Sequence, residues 1–151
     1  MKNVLYHYTT ELHLEKILDS GYLKVSDFEI KNKVKRPALW LSKNPTWEKT
    51  ATKNVYDPNL GTTRPLTFEE QSIKFGCVRL TVPFCSTFCT WAKYRHVSKE
   101  PTQICDSLER IGIQQGSKPS DWYASFSNIP ISKIESIEIW DGNEWVDYFE
   151  S

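Results

Sequence analysis

The sequence predicts one α+β domain, built on a split, mainly antiparallel sheet with three or four helices. Three observations carry that expectation. The chain has 151 residues, 39% hydrophobic and 25% charged, which suits one domain with its own core. Extended runs recur with only short connections between most of them, as antiparallel pairing allows. The helical signals are few, and most carry a capping or breaking residue at an end. No internal repeat or low-complexity segment interrupts the pattern.

The elements read in order as follows. Val4 to Tyr8 is a strand. Thr10 caps a helix with Leu14, Ile17 and Leu18 on one face, and Gly21 ends it. Tyr22 to Val25 resumes extended structure, and Ala38 to Ser42 is the next strand. Asn44-Pro45 opens a helix through Trp47, Glu48 and Ala51, ending near Lys53. Residues 54–66 read as a loop, with Asp57-Pro58 and Gly61 as breakers. Thr67-Phe68-Glu69-Glu70 is a capping box that opens a short helix. Cys77 to Val82 alternates as a strand. Pro101 opens a helix with Ile104, Leu108 and Ile111 on one face, and Gly112 and Gly116 flank a turn. Asp121 to Phe126 is a strand. Ile134 to Trp140 is a strand near a sheet edge, joined through the turn at Asp141-Gly142-Asn143 to a return over Trp145 to Phe149.

Charge and cysteine content exclude several classes. The formal net charge is zero, whereas a protein gripping a long nucleic acid by its phosphates is usually basic. Extended nucleic-acid binding is therefore not favoured. The nearest basic patch is Lys31, Lys33, Lys35 and Arg36, read either as a solvated loop or as a loop that meets phosphates. Cys77, Cys85, Cys89 and Cys105 form no metal-ligand pattern. No apolar run is long enough to span a membrane. Free thiols in a cytoplasmic protein are the expectation.

Two segments carry residues unusual for plain strands. Leu5-Tyr6-His7-Tyr8-Thr9-Thr10 places a histidine between tyrosines. Ala38-Leu39-Trp40-Leu41-Ser42 places a large ring two residues before a serine. On neighbouring strands facing one cleft, such a ring offers a stacking face and the imidazole a directed hydrogen bond, which together suit a nucleotide. Aromatics make up 13% of the chain, with six tryptophans, so some rings can line a site and not only fill a core.

The order of strand with His, helix, Gly, then strand with aromatic and Ser, resembles the ADP-ribosyltransferase fold. It is similar to the branch whose motif is histidine, tyrosine, acid, which includes poly(ADP-ribose) polymerases, small bacterial drug-modifying transferases and DNA-base-modifying toxins. Tyr6-His7-Tyr8-Thr9 resembles the first motif, Ala38 to Ser42 the second, and Ser120-Asp121-Trp122-Tyr123-Ala124-Ser125-Phe126 the third. The resemblance implies NAD as co-substrate and an unidentified acceptor: a nucleic-acid base, a protein or a small molecule. It implies catalytic roles for His7, Trp40 and Asp121, and contacts to NAD from His7, Tyr8, Thr9, Trp40, Ser42 and Arg36. Trp40 stands where the family usually has Tyr, keeping the ring face and losing the hydroxyl. Asp121 stands where many members have Glu, one methylene longer. Glu109, Glu135 and Glu138 compete for the acid's role, Ser42 also reads as a helix-entry residue, and a non-catalytic nucleotide- or protein-binding module on the same scaffold is the alternative.

Overall fold

The computed structural model describes residues 3–25, 37–98 and 100–150. The first strand, β1 (Val4–Thr9), runs into α1 (Glu11–Ser20). Thr10 caps α1 by accepting from the His13 amide, and Gly21 closes it in the left-handed region at φ 81°. Short β2 (Tyr22–Leu23) follows, then β3 (Leu39–Ser42). β4 (Asn54–Asp57) and β5 (Thr62–Pro65) precede α2 (Phe68–Lys74), whose capping box forms in both directions between Thr67 and Glu70. β6 (Val78–Pro83), β7 (Cys89–Thr90), α3 (Trp91–Val97) and α4 (Thr102–Gln114) come next. The chain closes with β8 (Trp122–Ser125), β9 (Ile129–Pro130), β10 (Ser136–Trp140) and β11 (Trp145–Asp147).

The described residues form a single α+β domain with four α-helices. Seven strands form the main sheet, in the order β11-β10-β6-β1-β3-β8-β7, and β2-β9 and β4-β5 form two small sheets. Every ladder among the described residues is antiparallel. The main sheet is pinched rather than divided. β1 pairs with β6 along all six of its residues, but with β3 only where Tyr6 lies opposite Ser42. This seam is what positions the site.

Strand alternation sorts the faces on either side of the seam. Leu5, Leu39, Leu41 and Val82 pack together on one face, with Leu14 of α1 packing beside them on Val78 and Leu80. Trp40, Trp122 and Ala124 pack on the other face against Trp91 and Tyr94 of α3. Tyr8 packs on that face too, against Trp47.

Four local expectations need correction. Residues 47–53 do not form a helix, only one 3-10 turn over Lys49–Ala51. The Glu48 carboxylate is buried there and caps the turn at the Thr50 amide, so the chain follows the needs of that carboxylate and not a helical repeat. Residues 54–66 are a hairpin and not a loop. Asp57 accepts the amides of Leu60 and Gly61 across the turn, and Arg64 bridges Asp57 and Glu70. Between Val82 and Pro101, where the sequence reading placed no element, the chain forms β7 and α3. Gly112 lies inside α4, not in a turn, because Trp122 occupies the space a side chain would need.

Candidate functional site

A cleft of about 440 Å³ opens at the seam. β1 contributes Tyr6, His7 and Tyr8, and β3 contributes Trp40, Leu41 and Ser42. Glu48, Thr50 and Ala51 supply one end, and Trp91, Tyr94, Glu100 and Trp122 line it further. Ile104 and Leu108 of α4 complete the wall. Its size is that of a small-molecule site, and its surface is mostly aromatic and aliphatic with a few polar groups, as such sites are.

His7 and Trp40 meet here, but not as the sequence suggests. By alternation His7 belongs with Leu5 and Trp40 with Tyr8, so the two side chains leave their strands on opposite faces. They meet through the seam. The His7 Nδ1 lies 2.8 Å from the Trp40 carbonyl, where a continuous ladder would have placed main-chain bonds. A carbonyl only accepts, so Nδ1 carries the hydrogen and Nε2 is left as an acceptor. Burial pushes the imidazole below its ordinary value, against the opposing effect of the carbonyl bond, and the nearby His13 adds to the depression. His7 is therefore a neutral, oriented imidazole at the cleft wall.

That depression has a measurable consequence. The unfolded chain takes up a proton near pH 6.5, while folded His7 resists it. The stability His7 contributes is complete above pH 6.5 and is lost as pH falls through the lower folded value. His7→Asn places an amide nitrogen near the Nδ1 position and cannot titrate. Its unfolding free energy should fall less steeply than that of the wild type between pH 7 and pH 5, as read by urea titrations at each pH. His13, shifted in the same direction by burial and by Lys53 and Lys16, supplies the slope that remains.

Trp40 is half-buried. Its ring lies 4.7 Å from Tyr94 and 5.7 Å from Trp91, so core packing already fixes it. Tyr8 lines the cleft, but its hydroxyl donates to the Asn44 carbonyl, and burial pushes that hydroxyl well above its ordinary value. Ser42 is buried and spent: its hydroxyl donates to Glu48 at 3.0 Å and accepts from the Asn44 amide at 3.1 Å. The helix-entry alternative thus describes Ser42 better than a ligand contact, although only an Asx-type turn follows and no helix. Thr9 is buried opposite Val78 and does not line the cleft. Arg36 and the basic patch lie outside the described residues.

Asp121 is not among the described residues that line the cleft. It ends a 3-10 turn at the entrance to β8, and its carbonyl accepts from the Lys43 amide at 2.9 Å. It stands one residue from Trp122, which does line the cleft. None of the competing acids Glu109, Glu135 and Glu138 is among the described residues that line the cleft; Glu138 pairs with Arg79, and Glu109 with Arg95 and the Trp91 indole.

Sequence reasoning missed both acids that line the cleft, Glu48 and Glu100, of which Glu48 is the more heavily bonded in the structure. Glu48 is 8% exposed and accepts five hydrogen bonds. Oε1 takes the Ser42 hydroxyl and the Trp122 indole N–H at 3.2 Å. Oε2 takes the Thr50 amide at 3.1 Å, the Thr50 hydroxyl at 2.8 Å and the Ser117 hydroxyl at 2.5 Å. One carboxylate thus ties β3, β8 and the end of α4 together. No local signal marks it, since its partners lie up to 74 residues away in sequence.

Among the described residues no cluster of His, Cys, Asp and Glu could hold a metal ion. None of their helices is long and apolar enough to cross a membrane. All four cysteines are free thiols. Compared with family models, curated proteins and solved structures, the chain matches none.

Proposed function

We propose that the cleft binds a flat, ring-bearing ligand, NAD or a related adenine nucleotide, and that the chain transfers ADP-ribose from NAD to an acceptor. The observation that carries this reading is His7. Its Nδ1–H is fixed by the Trp40 carbonyl, which leaves Nε2 as the ring atom able to accept from a ribose hydroxyl, and the cleft that His7 lines also holds aromatic rings that can stack on a base or on nicotinamide. Cleavage of the nicotinamide–ribose bond passes through an oxocarbenium-like sugar, which a nearby carboxylate stabilises. Asp121, at the mouth of β8, is the candidate for that role; of the two acids that line the cleft, Glu48 and Glu100, Glu48 has both oxygens committed to the protein.

Calorimetric titration with NAD, ADP-ribose and nicotinamide tests the binding. His7→Asn keeps the bond to Trp40 and removes Nε2, so NAD affinity should fall about 3- to 10-fold, the worth of one neutral hydrogen bond. Absence of binding by all three ligands to folded protein ends the reading. Asp121→Ala should abolish NAD turnover while leaving affinity nearly intact, because the carboxylate matters once the sugar becomes cationic.

A second reading is a non-catalytic binding module on the same scaffold. The position of Asp121 outside the cleft lining favours it. Binding of NAD without turnover, even to water, would select it over the transferase.

A further inference from the structure

Two walls of the cleft hang on strands that share one ladder pair. Tyr6, His7 and Tyr8 belong to β1 and Trp40, Leu41 and Ser42 to β3, and only Tyr6 and Ser42 lie opposite each other. Side chains supply further bonds across the seam. His7 reaches the Trp40 carbonyl, and the Tyr8 hydroxyl donates to the Asn44 carbonyl. Arg79, one strand further away on β6, donates through Nη1 to the Pro45 carbonyl. Asn44 and Pro45 lie in the segment that leads from Ser42 to Glu48, so these last two bonds tie that segment to the β1–β6 side of the sheet.

Arg79 is itself held in place. It stands opposite Tyr8 on β1 and opposite Glu138 on β10. Its Nε and Nη2 donate to Glu138 Oε1 at 3.1 and 2.8 Å. Its guanidinium lies 5.4 Å from the Tyr6 ring centroid and 4.7 Å from that of Trp145. A planar fork fixed on one edge by a carboxylate and laid over two rings has its remaining nitrogen aimed, which a lysine ammonium cannot reproduce. Arg79 is not among the described residues that line the cleft. Any effect it has on a ligand therefore passes through Tyr6, Tyr8 and the segment before Glu48.

We infer that Arg79 is a positioning residue for the cleft: it fixes the gap between the β1 rings and the turn that carries Glu48, and so the fit of the bound ligand. This deepens the NAD reading and rests on it for the identity of the ligand. A displacement of about 1 Å from a remote substitution can cost about 100-fold where geometry matters.

The test compares three variants. Arg79→Met keeps an unbranched stem and removes the fork. Arg79→Lys keeps the charge and loses the fork. Arg64→Met breaks the ion pairs of the 54–65 hairpin, away from the cleft, and controls for lost stability. Calorimetric titration of folded protein should show NAD bound at least tenfold more weakly by Arg79→Met, about threefold or more weakly by Arg79→Lys, and equally well by Arg64→Met. Amide hydrogen exchange should quicken at least threefold at Asn44 and Thr50, whose N–H groups bond to Ser42 and Glu48, in Arg79→Met and not in Arg64→Met. Wild-type NAD affinity or unchanged exchange in Arg79→Met overturns the inference and leaves the NAD reading standing. Weaker NAD binding that Arg64→Met reproduces also overturns it, since lost stability alone would then account for the effect. If wild-type protein binds no NAD, that reading falls, and the exchange rates alone support or overturn the positioning of the segment by Arg79.

Discussion

Glu48→Ala is expected to lower the unfolding free energy by about 3 kcal/mol or more, the largest loss for any single substitution at the cleft. The change removes one acceptor group and strands five donors: the hydroxyls of Ser42, Thr50 and Ser117, the Thr50 amide and the Trp122 indole. A buried donor left unpaired costs about 1–3 kcal/mol. The losses do not simply add, because water entering the cleft can satisfy some of them. Glu48→Gln should cost less, for a reason visible in the bonding. Hydroxyls can turn round and accept from an amide, but N–H groups cannot. The indole N–H meets Oε1 and the Thr50 N–H meets Oε2, so either amide orientation leaves one N–H facing an NH2 group. The cost is then that of about one unpaired donor, roughly 1–3 kcal/mol. Urea denaturation of the three proteins at neutral pH should rank them wild type, Gln, Ala. An alanine variant with the wild-type midpoint would show that the five bonds are not a structural anchor.

Much of the fold was legible where the signal is local. Thr10 with Gly21, the capping box at Thr67 and Glu70, and the turn at Asp141-Gly142 all declare an element's end within a few residues, and each forms as read. Legibility failed where distant partners decide. The hairpin over 54–65 depends on Arg64 reaching Asp57 and Glu70. The turn at 49–51 depends on what Glu48 meets from β3, β8 and the end of α4. The same division holds at the site. His7 and Trp40 were found because a histidine and a tryptophan stand out within short strands. Their meeting through the seam, from opposite faces, depends on β1 and β3 sharing a ladder of one pair, and no residue type announces that register. The α4 stripe was legible as a face but not as an exposed one: its spacing is that of a core face, yet Ile104, Leu108 and Ile111 stay about half exposed while Cys105 and Gly112 make the buried contacts.

Gly112→Ala is expected to destabilise the protein, although helix propensity alone predicts the reverse. Gly112 lies within α4, where alanine is worth about 1 kcal/mol more than glycine. Its backbone conformation is ordinary, so no glycine is needed for φ. The need is space: an added Cβ would lie 2.5 and 2.6 Å from two ring carbons of Trp122 and 3.4 Å from the Thr50 methyl. Such a contact cannot stand, and an indole in the wall cannot shift freely, since its N–H is held by Glu48 and its ring packs 5.3 Å from Trp91. Overpacking of this kind costs about 1–3 kcal/mol. With the propensity gain set against it, the net loss should be up to about 2 kcal/mol, read as a lower urea midpoint with an unchanged slope. The companion variant is Trp122→Phe, whose smaller ring vacates the space. Added to it, Gly112→Ala should cost less than in the wild type or become stabilising, a coupling of about 1 kcal/mol or more between residues in contact. If Gly112→Ala alone raises the midpoint, α4 and β8 can part without penalty, and the close approach of Gly112 to Trp122 is not what sets that wall of the cleft.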